Sequence, residues 1–259
     1  MAQTGGGRPA SVTIMLVDEL ARGRLIRRFG QDVTTWIDGL PELVDHLSQQ
    51  WELRVEKHMP GGTSATFYCW RDTTPVILKL TPEIDIALSE HRALKAWDGV
   101  PSMVSLLDQD LPAGALLLEA VEPGTPVDDF FLPDLLAELH IDAEGFQPLK
   151  DRVDFVFALL RKRTTKDVDA YHRAAADLAL DRVEPKLLHG DLHLGNVLDG
   201  GDRGPIAIDP RPCIGDPAVD AVDMVYAGTD HDERIEALSG VVDGDRLRLW
   251  CDAFRPFFP

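Results

Sequence analysis

The chain has 259 residues, 44% hydrophobic and 27% charged, a composition that supports a folded core over most of its length and excludes general disorder. Its 26 lysines and arginines stand against 44 aspartates and glutamates, a formal net charge of −18, which argues against a general nucleic-acid binder because phosphate neutralisation needs a basic surplus. The acidic balance favours cationic small molecules or metal-bound anions as partners over anionic membranes.

Residues 1–10 are small and read as a disordered lead-in. The short apolar run from Val12 to Val17 meets Asp18 and Glu19 at once and has no cleavage pattern, so no signal peptide is expected. From Phe29 to Gln50 the apolar residues Leu40, Leu43, Val44 and Leu47 recur at helical spacing. Three short strands should follow, Trp51 to Glu56, Thr66 to Cys69 and Pro75 to Leu80, separated by Pro60-Gly61-Gly62 and Arg71-Asp72-Thr73, which predicts an antiparallel meander. Thr81-Pro82-Glu83 carries a cap, a first-turn proline and an early acid, predicting a helix to Trp97. Strands are expected around Met103 to Leu107 and Ala115 to Leu118. Past Pro123-Gly124 the pattern is helical over Pro133 to His140, Leu149 to Arg161 and Lys166 to Asp181.

These elements place a β-rich lobe before a mostly helical one, with a hinge near residues 119–124. The expected division is a lead-in and N-terminal segment over residues 1–28, an N-terminal lobe over 29–121 and a C-terminal lobe over 122–259. Cys69, Cys213 and Cys251 are odd in number and lack C-x-x-C spacing, which points to a reducing compartment. No apolar run approaches the ~18 residues of a membrane span. A cytoplasmic protein is expected.

The most informative stretch runs from Leu187 to Leu198, His-Gly-Asp-Leu-His-x-x-Asn at its centre, followed by Pro205-Ile206-Ala207-Ile208-Asp209. Two apolar strands flank the turn 199–204, so a hairpin should bring Asn196 and Asp209 to one end, with Asp191 just before it. An aspartate, an asparagine and a second aspartate at a strand end are what Mg²⁺-assisted phosphoryl transfer requires: a carboxylate for the acceptor hydroxyl, and hard oxygen ligands for the metal. Asp191 precedes Asn196 by five residues, the spacing of the protein-kinase catalytic loop. His189 and His193 are four apart, but Gly190 and Gly195 disfavour a helical zinc pair, and both histidines read as bracing the loop. No Walker sequence is present, which excludes a P-loop enzyme.

Lys79 lies in the apolar run 76–80, where an unpaired ammonium would be costly. Glu90 shares a helical stripe with Ile86, Ala93, Leu94 and Trp97 and is the candidate partner; an edge-strand lysine reaching solvent is the bland alternative. The loop 60–65, with Ser64, reads either as a plain turn or as a cap on a phosphate. Asp220, at a helix start, reads as a buttress of the catalytic loop by hydrogen bonding.

The motif His189-Gly190-Asp191-Leu192-His193 to Asn196, with Ile208-Asp209-Pro210, resembles the aminoglycoside phosphotransferase superfamily. Ile208-Asp209-Pro210-Arg211-Pro212 with Gly215-Asp216-Pro217-Ala218 and Asp220 is similar to its streptomycin 6-kinase and hydroxyurea phosphotransferase branch, although Arg211 stands where that branch leads one to expect lysine. The resemblance covers roughly residues 29 to 255. It implies an α+β, protein-kinase-like bilobal fold and an ATP- and Mg²⁺-dependent small-molecule kinase. It further implies Asp191 as base, Asn196 and Asp209 as metal ligands, Lys79 and Glu90 at the α- and β-phosphates, Ser64 in the phosphate loop, and the Glu119 carbonyl and Val121 N–H on adenine. The expected acceptor is a hydroxyl of streptomycin or a related cationic antibiotic, met by carboxylates such as Asp216, Asp230 and Glu233. Hydroxyurea, a cellular amino alcohol or sugar, or a nucleotide-binding module without catalysis are the alternatives.

Overall fold

The computed structural model of the chain describes residues 17–259, and the readings made on residues 1–16 lie outside them. The chain divides into two compact units, one ending at Pro82 and one beginning at Glu83.

In the first unit, part of the segment grouped with the lead-in is a helix, α1 (Glu19–Phe29). Asp18 caps it, accepting the Ala21 N–H at 2.6 Å, and Gly30 ends it at φ 86°. Helix α2 (Val33–Gln50) buries Val33, Ile37, Leu40, Val44 and Leu47, the three-four spacing of an amphipathic helix. An Arg22–Asp38 ion pair at 2.7 Å ties the two helices. Strands β1 (Leu53–Met59), β2 (Ala65–Arg71) and β3 (Thr74–Leu80) form the expected antiparallel meander. Ala65, Phe67 and Cys69 on β2 and Val76, Leu78 and Leu80 on β3 are fully buried, the period-two face of a half-buried sheet. The β2–β3 turn uses Asp72 at φ 54°, a left-handed position that aspartate tolerates.

In the second unit, α3 spans Ile84–Ala96. Thr81 does not cap it: Glu83 occupies the cap position in extended backbone, and the Thr81 hydroxyl is buried without a hydrogen-bond partner. Glu83 is itself extended, so the helix starts later than the sequence suggested. Strands β4 (Leu106–Asp110) and β5 (Ala115–Glu119) pair antiparallel. The first begins three residues after Met103, which instead bridges Ala207.

Helices α4 (Pro133–Leu139), α5 (Leu149–Arg161) and α6 (Asp169–Leu178) fall where the helical pattern put them. Then come β6 (Lys186–Leu188), the hairpin β7 (Val197–Asp199) and β8 (Pro205–Ala207), and β9 (Cys213–Gly215), which pairs with β6. The chain closes with α7 (Val222–Tyr226), α8 (His231–Leu238) and α9 (Gly244–Phe254). Val153 and Phe157 of α5, Ala175 of α6 and Leu247 and Trp250 of α9 are buried, each large apolar side chain contributing about 1.5–3 kcal/mol.

The linker after β5 is fastened to the hairpin. Gly124 N–H donates to the Asp199 carbonyl at 3.0 Å and Asp199 N–H to the Thr125 carbonyl at 2.8 Å. Gly124 has φ 66°, and a Cβ there would lie 2.4 Å from the Val121 carbonyl oxygen, so only glycine fits.

Candidate active site

Strand β6 delivers the chain into His189, Gly190 and Asp191. Gly190 has φ 74°, and a side chain there would meet the Arg211 carbonyl oxygen at 2.1 Å; the close crossing of these two segments requires glycine. His189 is fully buried. Its Nε2 donates to the Ile208 carbonyl at 2.9 Å and its Nδ1 accepts the Asp191 N–H at 3.3 Å, a pattern that demands the neutral ring. Burial lowers its pKa in the same sense.

Asp220 sits beneath this turn, 5% exposed. One carboxylate oxygen accepts the His189 N–H at 2.7 Å and the other the Gly190 N–H at 2.9 Å, so it buttresses the loop. Burial alone would raise this carboxyl, but the His140 imidazole, with Nε2 3.6 Å away, together with His189 and the Gly190 N–H, holds it below the usual carboxylate range. His193 Nδ1 accepts the Gly195 N–H at 3.0 Å and starts a short 3-10 turn, Leu194–Asn196. Both histidines therefore fasten the loop through their rings.

Asn196 is buried, and its amide donates to the Asp191 carbonyl at 2.9 Å, which leaves its side-chain oxygen as the group able to accept or ligate. The Ile208 N–H donates to the Asn196 carbonyl at 2.9 Å, so the hairpin β7–β8 brings Asp209 out beside Asn196. Asp209 adopts φ 57°. The left-handed region costs a non-glycine residue roughly 1–2 kcal/mol, less for an aspartate, which also takes it at Asp72 in the β2–β3 turn. An amide oxygen and a carboxylate are hard donors that suit Mg²⁺, which keeps waters and phosphate oxygens in its remaining positions.

Asp191 is 37% exposed at its side chain and faces a cavity of about 280 Å³. Arg152, His193, Asp223, Phe254 and Phe257 line the same cavity. Arg152 Nη2 donates to Asp191 Oδ1 at 2.7 Å. The Asp223 carboxyl is pushed up to about 7 by burial and by the neighbouring Asp191 and Asp220. Arg152 and Asp223 were both missed by the sequence reading. Each left a trace: Arg152 abuts the buried stripe Leu149, Val153 and Phe157 of α5, and Asp223 lies three residues after Asp220.

The other sequence candidates fall elsewhere. Asp216, expected to meet the acceptor, is 3% exposed and fully engaged: Oδ1 accepts the Ala218 N–H at 3.0 Å, and Oδ2 takes the Trp250 indole N–H at 2.7 Å and the Arg246 guanidinium. It caps a 3-10 turn and anchors α9, because a buried carboxylate must be paired. Asp230 and Glu233 are exposed at the start of α8 and do not line the cavity with Asp191. Glu119 spends its carboxylate on Arg203 at 2.7 Å and on the Ser105 N–H and hydroxyl, so its side chain braces the linker. Val121 follows in the linker, its carbonyl closed over by Gly124. Ser64 is buried, its hydroxyl 3.1 Å from that of Thr66. Lys79 on β3 and Glu90 on α3 are each buried, at 5% and 1% exposure.

A family model described as aminoglycoside/hydroxyurea antibiotic resistance kinase matches residues 50–251. Hydroxyurea phosphotransferase of Kitasatospora aureofaciens is 34% identical over 242 residues, covering 83% of this chain and 71% of that protein. Streptomycin 6-kinase of Streptomyces glaucescens is 31% identical over 220 residues, covering 75% and 69%. Among solved structures, choline kinase LicA of Streptococcus pneumoniae superposes with a TM-score of 0.58 at 15% identity, covering 80% of this chain and 81% of that one. That likeness establishes the fold, and the expected kinase-like α+β architecture is the one observed.

Proposed function

The chain belongs to the aminoglycoside/hydroxyurea antibiotic resistance kinase family, and on that premise we propose that it transfers the γ-phosphoryl group of ATP to a hydroxyl of streptomycin or a related cationic antibiotic. Asp191 takes the hydroxyl proton as the acceptor oxygen bonds to phosphorus and the bond to the bridging oxygen breaks, releasing ADP. Asn196 and Asp209 are the residues that would hold Mg²⁺, whose charge would neutralise the phosphate oxygens. Lys79 and Glu90 are assigned to the α- and β-phosphates, Ser64 to the phosphate loop, and the backbone of Glu119 and Val121 to adenine. His189, His193 and Asp220 keep the loop rigid, so that catalysis rests on positioning and electrostatics.

The observation that carries the acceptor class is the cavity at Asp191, whose lining includes Asp223 and the phenyl rings of Phe254 and Phe257. A carboxylate beside aromatic faces suits a guanidinium or ammonium, through charge-assisted hydrogen bonds and cation–π attraction. Hydroxyurea is the second reading, favoured by the cavity's volume of about 280 Å³, at the small end for ligand pockets. ATP dependence and three buried, unpaired cysteines suit a reducing cytoplasm, and among the described residues no helix is long and apolar enough to cross a membrane.

The test is turnover with ATP and Mg²⁺ on streptomycin, on hydroxyurea and on a panel of amino alcohols and sugars, with the product's phosphate located by NMR. Phosphorylated streptomycin supports the reading. Transfer to hydroxyurea or another neutral acceptor alone rejects the cationic acceptor and keeps the kinase; no transfer to any acceptor rejects the kinase reading.

A further inference from the structure

Arg152 and Asp191 stand 39 residues apart in the chain, on α5 and on the loop after β6. The guanidinium makes two hydrogen bonds from one fork: Nε donates to the Gly190 carbonyl and Nη2 to Asp191 Oδ1, each at 2.7 Å. Its side chain is 12% exposed, and the ring of Phe155 lies 5.6 Å from the guanidinium carbon. A planar fork held on both sides has little freedom, so it ties the Asp191 carboxylate to the backbone of the carboxylate's own loop. Neither arm of the fork engages the second oxygen, Oδ2.

The geometry points to Arg152 as the positioning residue of the phosphoryl-transfer site: it occupies Oδ1 and fixes the carboxylate plane, leaving Oδ2 to orient the acceptor hydroxyl and take its proton. This rests on Asp191 being the base. The proton goes to Asp191, and Arg152 neither gives nor accepts one. Its contribution is orientation, and a misplacement on the order of 1 Å can cost ~10²-fold in rate. A guanidinium recruited only for stability would hold the fold equally well with the carboxylate turned either way.

The experiment is a double-mutant cycle on the full chain: parent, Arg152→Ala, Asp191→Asn and the double variant, with Arg152→Lys as the conservative control. Phosphate release or transfer is measured with streptomycin, hydroxyurea and water as acceptors, alongside ATP affinity and thermal melting. Arg152→Ala should lower kcat ~10²-fold while KM for ATP stays within about twofold. Lysine should recover only part of the rate, because one ammonium cannot reproduce the fork, and added guanidinium ion should restore part of it to the alanine variant. In the Asp191→Asn background, Arg152→Ala should cost nothing further.

Losses that multiply in the double variant, or an unchanged kcat, would overturn the positioning role. Full turnover by Asp191→Asn alone would instead remove the base assignment on which the role rests. A crystal structure of Arg152→Ala decides the placement without turnover: the Asp191 carboxylate should leave its orientation, and retention of that single orientation overturns the inference.

Discussion

Asp216 Oδ2 accepts the indole N–H of Trp250 at 2.7 Å, and the Arg246 guanidinium closes on the same oxygen. Arg246 also reaches Asp181 at 3.0 Å and the Leu178 carbonyl at 3.0 Å, so this one carboxylate joins the start of α7's approach, α9 and the end of α6. Asp216→Ala strands a buried indole N–H and the Nε of the Arg246 guanidinium; the cost should be about 3–5 kcal/mol, the range for breaking a buried ion pair. Thermal melting measures it. KM for any acceptor should be unchanged in the surviving folded fraction, and a selective rise in acceptor KM without loss of stability would return Asp216 to the binding site.

Asp191→Asn should reduce kcat by roughly 10²–10⁴-fold, the usual contribution of a general base, with ATP affinity nearly intact because the carboxylate serves the acceptor. Single-turnover kinetics with saturating ATP reads the chemical step. A variant within about tenfold of the parent would reject Asp191 as the base.

Asp209→Ala should abolish the magnesium dependence of ATP binding, since the asparagine amide alone is a weak, neutral donor. Calorimetric titration of ATP with and without Mg²⁺ gives the comparison in both proteins. Full retention of the magnesium effect in the variant would place the metal elsewhere.

Asp223, with its carboxyl near pH 7, should make cationic acceptors bind more tightly as pH rises from about 6 to 8, while hydroxyurea binding stays flat. The groups facing it are Arg152 on α5, Asp191 and His193 on the loop, Asp220 before α7 and Cys251 on α9. Asp223→Asn should remove the dependence.

The same carboxyl has a stability consequence with a definite sign. Its folded pKa lies above the ordinary carboxylate value of 3.8, so between about pH 4 and pH 7 the unfolded chain has lost this proton and the folded chain keeps it. Stability from this group therefore declines across that window and levels off above it. Asp223→Asn should raise Tm at pH 8 and leave it nearly unchanged at pH 4; a gain of equal size at both would refute the burial argument.

What was legible in the amino-acid sequence was mostly what local chemistry dictates. The meander β1–β3, helices α4 to α6 and the hairpin β7–β8 followed from periodicity and turn residues, because a strand or helix declares itself within a few residues of its own chain. The loop from His189 to Asn196 was legible for the same reason: its aspartate, asparagine and glycine positions are set by backbone reach over a few residues. Helix α1 lay mostly in the N-terminal segment grouped with the lead-in, and the cap at Thr81 failed because Glu83 is itself extended and the helix begins only after it. Asp216, Asp230 and Glu233 looked alike as acids near a motif, yet packing against Trp250 and Arg246 buried the first and left the other two in solvent away from the cavity. The partner of Asp191 and the raised carboxyl of Asp223 were decided only when α5, α7 and α9 closed around the loop, because ion pairing and desolvation depend on which distant segments meet, and no spacing along the chain encodes that meeting.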